Sequence, residues 1–192
     1  MPAAVSGGDI SLTLPNGVGS ANQYLANGST AGELTFVTPP GSFTSYAIIC
    51  DQKAESTNGG TFTSGAWRTR DLNTEIADPD SIVSISSNQF TLGAGSYFIE
   101  SSAPAYDVGR HQTRLYNATT SSVVQAGTNA FASLGDKIYN SSIILARVTI
   151  TSNTAFEIQH RSVHSGTSNG FGVNTTFGEV CIYTVVKIFK EA

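Results

Sequence analysis

Apolar and polar residues alternate in short runs along residues 43–192, which is the pattern of half-buried β-strands. The clearest case is SIILARVTIT, where Ile144, Ala146, Val148 and Ile150 put every second side chain on one face. Turn residues separate such runs roughly every 8–12 positions, and no stretch shows a convincing helical period. The pattern predicts an all-β domain of about eight to ten strands, arranged as a jelly-roll β-sandwich.

The middle of this pattern lies at residues 88–117. QFTL alternates, the glycines at 93 and 95 predict a tight turn because glycine accepts positive φ, and SYFIE predicts the next strand. We expect Tyr97 and Ile99 to point inward, and Phe98 to point outward or toward a neighbouring subunit. Pro104 is expected to break this strand, because proline has no amide proton to donate to the ladder.

Residues 1–42 differ from the rest of the chain. Turn signals at PNG (15–17), NG (27–28) and AG (31–32) separate the short strand-like runs ISLTLP and ELTFV. This segment contains too little apolar material for a core of its own. The TPPG sequence at 38–41 predicts a stiff, non-helical joint. We therefore predict a β-rich N-terminal arm at 1–42 and a jelly-roll head domain at 43–192.

Charged residues make up only 12% of the chain, and the formal net charge is −4. A chain with this charge has no basic field for phosphates, so we expect no nucleic-acid partner and no anionic membrane surface. The N-terminus has no basic region followed by an apolar one, and no apolar run reaches the length of a membrane span. We therefore expect synthesis in the cytoplasm without a signal peptide or membrane insertion.

The two cysteines, Cys50 and Cys181, each lie in an apolar, strand-like run. Their number and separation do not fit a disulfide framework or a zinc motif. Buried free thiols are the favoured interpretation, because unpaired cysteine is commonly buried. A single bridge between two strands remains the alternative.

Residues that could carry catalysis are few. His160 and His164 form an HxxxH pattern, but one ends a predicted strand and the other begins a loop, so the two do not share a face. We expect ordinary polar or interface histidines, with a histidine site repeated around a three-fold axis as the alternative. Asp78 and Asp80 flank a proline, and nothing indicates that they converge as glycosidase carboxylates do. We expect a protein that is not an enzyme and needs no cofactor or metal.

Tyr106, Tyr139 and Phe171 lie near predicted loops. Exposed aromatic side chains together with Ser and Asn could bind a sugar. The alternative is that these rings belong to the core or to a subunit interface, as aromatic side chains in β-proteins commonly do.

Several segments resemble known families. GSYFI at 95–99 is similar to the G-x-Y-x-F strand of C1q/TNF-like jelly-roll domains, with Ile99 in place of the usual Phe. A closer resemblance is to the C-terminal domain of a group of bacteriophage fibre and virion-surface proteins. The segments that carry it are GAWRTRDLNT (65–74), APAYDVGRHQTRLYN (103–117), ARVTI (146–150), FEIQHR (156–161), GFGV (170–173) and EVCIYTVVKIFKEA (179–192).

Residues 10–37 separately resemble a short module of phage tail fibres, which contains TLTLP, GQxL-like and GxLxW-like stretches. This chain has SLTLP, NQYL and ELTFV at those positions, so Phe36 replaces the tryptophan. In those fibres the module precedes a receptor-binding tip.

The resemblance implies a homotrimer on the virion surface, with residues 1–42 bound to other virion proteins and the head facing outward. It implies that apolar strand residues form the core or the trimer interface, namely Tyr97, Phe98, Ile99, Val180, Ile182 and Val186. Loops at 163–170 and 128–142 would be free to vary and to contact a host glycan or protein. The residues expected to face this receptor are Tyr139, His164, Asn169 and Phe171.

Three functions fit this picture. The first is a trimeric tail fibre or receptor-binding protein that attaches the phage to its host. The second is a capsid decoration or head-fibre protein that stabilises or decorates the shell. The third, a glycan depolymerase, is the least favoured, because it needs paired carboxylates that the sequence does not indicate.

Overall fold

Strands account for all the regular structure in the described part of the chain, which covers residues 12–21, 23–39 and 43–192 of the computed structural model. The chain divides into an N-terminal unit and a larger unit over Phe43–Glu191. Predictions for Ile10 and for positions 40 and 41 of the TPPG joint lie outside the described residues. No helix among the described residues is long and apolar enough to cross a membrane.

The N-terminal unit contains an antiparallel hairpin of β1 (Tyr24–Asn27) and β2 (Leu34–Val37). A parallel bridge joins Thr13 to Glu33, just before β2. Gly19 lies against the ring of Phe36, and a Cβ on this glycine would come within 2.5 Å of a ring carbon. The ring of Phe36 therefore packs directly on the backbone at Gly19.

The larger unit contains the remaining strands, all of them antiparallel to their partners. Their bounds are β3 Phe43–Lys53, β4 Arg68–Thr69, β5 Thr74–Ala77, β6 Val83–Ser86, β7 Gln89–Leu92, β8 Gly95–Tyr106, β9 Gly109–Asn117, β10 Ser122–Ala132, β11 Tyr139–Ile150, β12 Thr154–Ser162 and β13 Cys181–Glu191. One sheet has the order β10-β9-β12-β7-β6, with β4 also paired to β12, and the other has the order β11-β8-β13-β3-β5.

The predicted all-β sandwich is confirmed, but it contains eleven strands, β3 to β13, rather than about eight to ten. The difference comes from pieces such as β4 and β5, which are only two and four residues long. Such short pieces offer too few positions for an alternating pattern to stand out. β9 and β10 pair as an antiparallel hairpin.

Apolar side chains from both sheets fill the space between them. Tyr97 and Ile99 of β8 lie in this core, and the Tyr97 hydroxyl donates a hydrogen bond to the Gly93 carbonyl at 3.0 Å. The buried side chains that they join include Ala47, Ile49, Leu72, Phe90, Leu92, Leu115, Ile144, Phe156, Ile158, Val186 and Ile188. Burying side chains of this size contributes about 1.5–3 kcal/mol each, so this core is the main source of stability.

Pro104 does not end β8, contrary to the sequence-based expectation. The strand continues to Tyr106, and Pro104 pairs with Ser141 of β11. Pairing between β8 and β13 stops at Ser102, so at Pro104 the strand has a neighbour on one side only. A proline is tolerated at such an edge position, because no second ladder requires its missing amide proton.

Polar side chains tie the two sheets together where β9, β10 and β11 meet. The Ser142 hydroxyl lies 2.7 Å from the Thr113 hydroxyl and donates a hydrogen bond to the Thr128 carbonyl at 2.6 Å. Gly127 lies beside this link, and a Cβ there would contact the Thr113 hydroxyl and the Ile143 carbonyl. The absence of a side chain at Gly127 is therefore what allows β10 to approach the other sheet.

Cys50 in β3 and Cys181 at the start of β13 are both buried and free. The favoured interpretation of two unpaired thiols is confirmed. Burial raises the pKa of the Cys50 thiol, with a smaller contribution from the neighbouring charge of Asp51. Cys50 is therefore a neutral core residue rather than a reactive thiolate.

Candidate functional site

An aromatic row crosses the outer face of the five-stranded sheet. Tyr46 of β3, Phe189 of β13 and Phe98 of β8 are direct cross-strand neighbours. The rings of Phe98 and Phe189 lie 6.5 Å apart between centroids, and Phe43 lies 5.1 Å from Phe189. Side chains alternate between the faces of a strand, so this row points away from the core that holds Tyr97 and Ile99.

Two aliphatic side chains of β11 extend this surface. Leu145 is 59% exposed and Ile143 is 42% exposed, although both are apolar. We call the outer surface of this sheet the apolar face, and it consists of Phe43, Tyr46, Phe98, Ile143, Leu145 and Phe189.

The charged groups on the apolar face are paired with each other. Lys187 lies 3.3 Å from Glu100, and Arg147 lies 2.6 Å from Glu191. These pairs contribute little to stability, because they are solvent-exposed. Each of these four charged groups therefore has a partner of opposite charge on the same face.

The six residues predicted for the core or interface occupy three different places. Tyr97, Ile99 and Val186 are buried in the core, and Phe98 lies on the apolar face. Val180 and Ile182 are exposed at the opposite end of β13, where they line a cavity of about 460 Å³ together with Tyr106 and Tyr139 among others.

Sequence reasoning missed most of the apolar face. The strand SIILARVTIT was interpreted through its inward-facing set, Ile144, Ala146, Val148 and Ile150. Ile143 and Leu145 lie at the alternate positions of β11, whose side chains point to the outer face of the sheet. In a sheet with a solvated outer face, these positions carry polar residues. Apolar residues at these alternate positions were the available signal for an apolar outer face.

The expected receptor-facing residues are also dispersed. Tyr139 is the first residue of β11, whereas His164 and Asn169 lie in the segment after β12. Phe171 is only 9% exposed, so its assignment to a receptor-facing loop is wrong. Its ring lies 4.5 Å from that of Phe62 and 4.0 Å from the guanidinium of Arg70, in the interior of the head.

Strands and backbone hydrogen bonds cover much of the two predicted receptor loops. The segment 163–172 is held against residues 59–62 by backbone hydrogen bonds, including a reciprocal pair between Phe62 and Gly166 at 2.8 and 2.9 Å. The range 128–142 is largely strand, because β10 ends at Ala132 and β11 begins at Tyr139. Only the turn at 133–138 is free of strand structure.

A buried guanidinium, that of Arg70, donates hydrogen bonds to three groups in the interior. Arg70 is fully buried, and it donates hydrogen bonds to the Thr184 hydroxyl at 2.7 Å and to the carbonyls of Phe171 and Pro104 at 2.9 and 3.1 Å. Burial lowers the pKa of Arg70 to about 10, which still leaves the group charged at neutral pH. The sequence offers no sign of this role, because the partners lie 34 to 114 residues away.

Two histidines lie beside this guanidinium. Nδ1 of His111 and Nε2 of His160 are 2.9 Å apart, and both side chains are buried. Burial lowers the pKa of both, to about 4 for His111, and the charge of Arg70 acts in the same direction. The other ring nitrogens, Nε2 of His111 and Nδ1 of His160, have no hydrogen-bond partner among the described residues. The pair is therefore neutral and structural at neutral pH.

The acidic residues considered as catalytic candidates serve local contacts. Asp78 accepts hydrogen bonds from the backbone amides of Ile82 and Val83, and Asp80 accepts one from the Ser45 hydroxyl. Within residues 12–21, 23–39 and 43–192, no group of three or more His, Cys, Asp or Glu side chains could hold a metal ion.

Comparison with known proteins identifies the fold. The sequence matches no protein-family model. No curated protein matches it either. Among solved structures, Eiger TNF from S. frugiperda aligns with a TM-score of 0.53 and 9% identity, over 79% of this chain and 94% of that one. The globular domain of zebrafish complement 1qA aligns with a TM-score of 0.50 and 15% identity, over 76% and 96%.

PRD1 vertex protein P5 aligns with a TM-score of 0.49 and 14% identity, over 79% of this chain and all of that one. Identities this low establish the fold and nothing further. The larger unit of this chain is a C1q/TNF-like jelly-roll β-sandwich.

Proposed function

We propose that this chain is a virion surface protein that forms a homotrimer and attaches the particle to its host by binding, without catalysis. The observation that carries the proposal is the apolar face. The rings of Tyr46, Phe189 and Phe98 form one cross-strand row. On β11, Leu145 lies diagonally beside Phe98 and Ile143 lies two residues further along the same face. Exposed apolar patches of this kind mark protein–protein contacts.

A second and a third copy of the chain are the occupants we propose for this face. The charges beside the rings are already neutralised within one copy, by the Lys187–Glu100 and Arg147–Glu191 pairs. A partner therefore needs apolar groups rather than complementary charge, and another apolar face supplies them. The number three comes from the resemblance described above.

The assignment to a virion rests on the sequence segments that resemble phage fibre proteins. In this proposal, residues 1–42 bind other virion proteins and the head points outward, so the protein resides at the virion surface. Attachment is preferred over capsid decoration because residues 10–37 resemble a fibre module that precedes receptor-binding tips.

The oligomeric state tests the apolar face directly. We expect the purified chain to sediment as a trimer at micromolar concentration, and Leu145→Glu to dissociate it, because the new charge would be buried without a partner. Val123→Glu is the matched control, since Val123 is a similarly exposed apolar residue on the other sheet. A monomeric parent protein, or a trimer that tolerates Leu145→Glu, would contradict the proposal.

The position on the particle tests the attachment role. We expect antibodies against the head to label the tail tip in electron micrographs of virions, and added soluble protein to compete with virions for host cells. Labelling spread over the capsid, together with unchanged adsorption, would favour the decoration role instead. Absence of the protein from virions would overturn the proposal as a whole.

A further inference from the structure

A groove rich in arginine crosses the outer face of the other sheet. Asn129 of β10, Gln112 of β9 and Arg161 of β12 are cross-strand neighbours in one row. Arg110 lies two residues before Gln112 on the same side of β9, and Trp67 borders the groove just ahead of β4. We call these five residues the arginine groove. They line most of a cavity of about 490 Å³, which is within the usual size of a small-ligand site.

The two guanidinium groups of the groove are not neutralised. Arg110 and Arg161 are exposed, and neither side chain makes an ion pair or hydrogen bond with another residue of the described chain. No Asp or Glu lines the cavity. Glu157, on the same side of β12, accepts hydrogen bonds from Thr69, Gln89 and Gln159 instead. A chain with a net charge of −4 therefore concentrates unpaired positive charge at this place.

The aromatic border of the groove is held in position. The guanidinium of Arg114 lies 4.2 Å from the centroid of the Trp67 ring and 5.0 Å from that of Tyr116. Nε of Arg114 also donates a hydrogen bond to the Gln159 side chain at 2.8 Å. These contacts fix Arg114 against the indole, so the edge of the groove is built before any ligand arrives.

The remaining side chains supply neutral hydrogen-bonding groups. Gln112 donates through Nε2 to the Gly127 carbonyl at 2.9 Å, which leaves its Oε1 available as an acceptor. Asn129 adds a second amide to the lining. Guanidinium groups bind carboxylates with two parallel hydrogen bonds, amides bind hydroxyls, and an indole packs against the apolar side of a sugar ring.

We propose that the arginine groove binds a saccharide that carries a carboxylate, such as a uronic or sialic acid unit of a surface glycan. The groove lies on the opposite sheet from the apolar face, so self-association through that face is compatible with binding here. The proposal deepens the attachment role and rests on it for the source of the glycan. Binding of the acidic sugar itself stands on the groove alone.

The test is calorimetric titration of the intact chain with defined saccharides. Tri-galacturonic acid is compared with its methyl ester, which has the same skeleton without charge, and 3′-sialyllactose is compared with lactose. We expect at least one acidic saccharide to bind, and its neutral counterpart to bind about tenfold more weakly or worse, because hydrogen bonds to charged groups are the stronger ones. Failure of both acidic saccharides to bind would overturn the proposal.

Substitutions locate the site. Arg161→Gln and Arg110→Gln are each expected to weaken binding about tenfold or more, which corresponds to the loss of a charged hydrogen bond. Lys137→Gln is the matched control, because it removes one positive charge from the turn at 133–138 and should leave binding unchanged. Equal affinity in the parent, Arg161→Gln and Arg110→Gln proteins would overturn the site. Sulfate binding that matches saccharide binding in strength would show a simple anion site and contradict the saccharide proposal.

The test of saccharide binding and the tests of the proposed function can fail independently of each other. Titration of the purified protein measures the groove, whereas sedimentation and particle labelling measure trimer formation and virion location. Arg161→Gln should leave the trimer intact while it weakens saccharide binding. A variant that loses the trimer together with binding would show that Arg161 serves the assembly rather than a ligand.

Discussion

Replacing Arg70 by methionine is expected to reduce the free energy of unfolding by about 3–5 kcal/mol, because three hydrogen bonds from a buried charged donor would be lost. Methionine fills much of the same space but donates no hydrogen bonds. The Thr184 hydroxyl and the carbonyls of Phe171 and Pro104 would each lose a donor in the interior. A buried acceptor without a partner costs about 1–3 kcal/mol.

Urea unfolding at pH 7 and fixed protein concentration measures this change. Arg68→Met is the matched control, because Arg68 is exposed two residues away and makes one hydrogen bond, to the Thr63 carbonyl at 3.1 Å. The control should change stability by less than about 1 kcal/mol. Arg70→Lys should reduce the free energy of unfolding by an amount between those of Arg70→Met and Arg68→Met, since a single ammonium cannot reproduce the several donors of the guanidinium. Equal stability of Arg70→Met and the parent would show that the cost of burying the charge equals the gain from its bonds.

Acidification from pH 7 to pH 5 is expected to destabilise the fold through the His111–His160 pair. Both pKa values are lowered by burial, so the unfolded chain binds protons that the folded chain rejects. The contribution to stability is complete above the unfolded value of about 6.5 and is lost as the pH falls below it. For His111 this loss continues down to its folded pKa of about 4.

The expected slope is about 1.4 kcal/mol per pH unit for each histidine that is charged in the unfolded chain and neutral in the folded one. Unfolding measured between pH 5 and pH 7 gives this slope. Substituting His111 and His160 together by glutamine should flatten this slope, and His164→Gln, at an exposed histidine, is the matched control. A double variant with the slope of the parent protein would refute the role of the pair.

Comparing the pH slopes of these variants separates the contribution of the two histidines from that of other titrating groups. Asp51 has a raised pKa because it is buried, and Glu157 has a lowered pKa because hydrogen bonds from Gln159, Gln89 and Thr69 outweigh its partial burial. Both groups stay in every variant, so their contributions cancel in the comparison.

The local alternation of apolar and polar residues was sufficient to predict the class of fold. Alternation in SIILARVTIT and in QFTL depends on neighbours two residues apart, and it placed Ile144, Phe90 and Leu92 on the inner faces of the sandwich. The turn residues between strands likewise act over a few positions. The sequence by itself therefore determined an all-β jelly roll and the inward direction of its main strands.

Contacts between segments that are far apart in the sequence decided the features that the local pattern did not predict. Pro104 is tolerated because β8 has lost one neighbour there, and Phe171 is buried because Phe62 and Arg70 meet it from segments about a hundred residues away. The apolar face and the arginine groove both require residues from several strands to align in register. Register across a sheet is set by long-range packing rather than by neighbouring residues, so only the tertiary structure could bring these surfaces together.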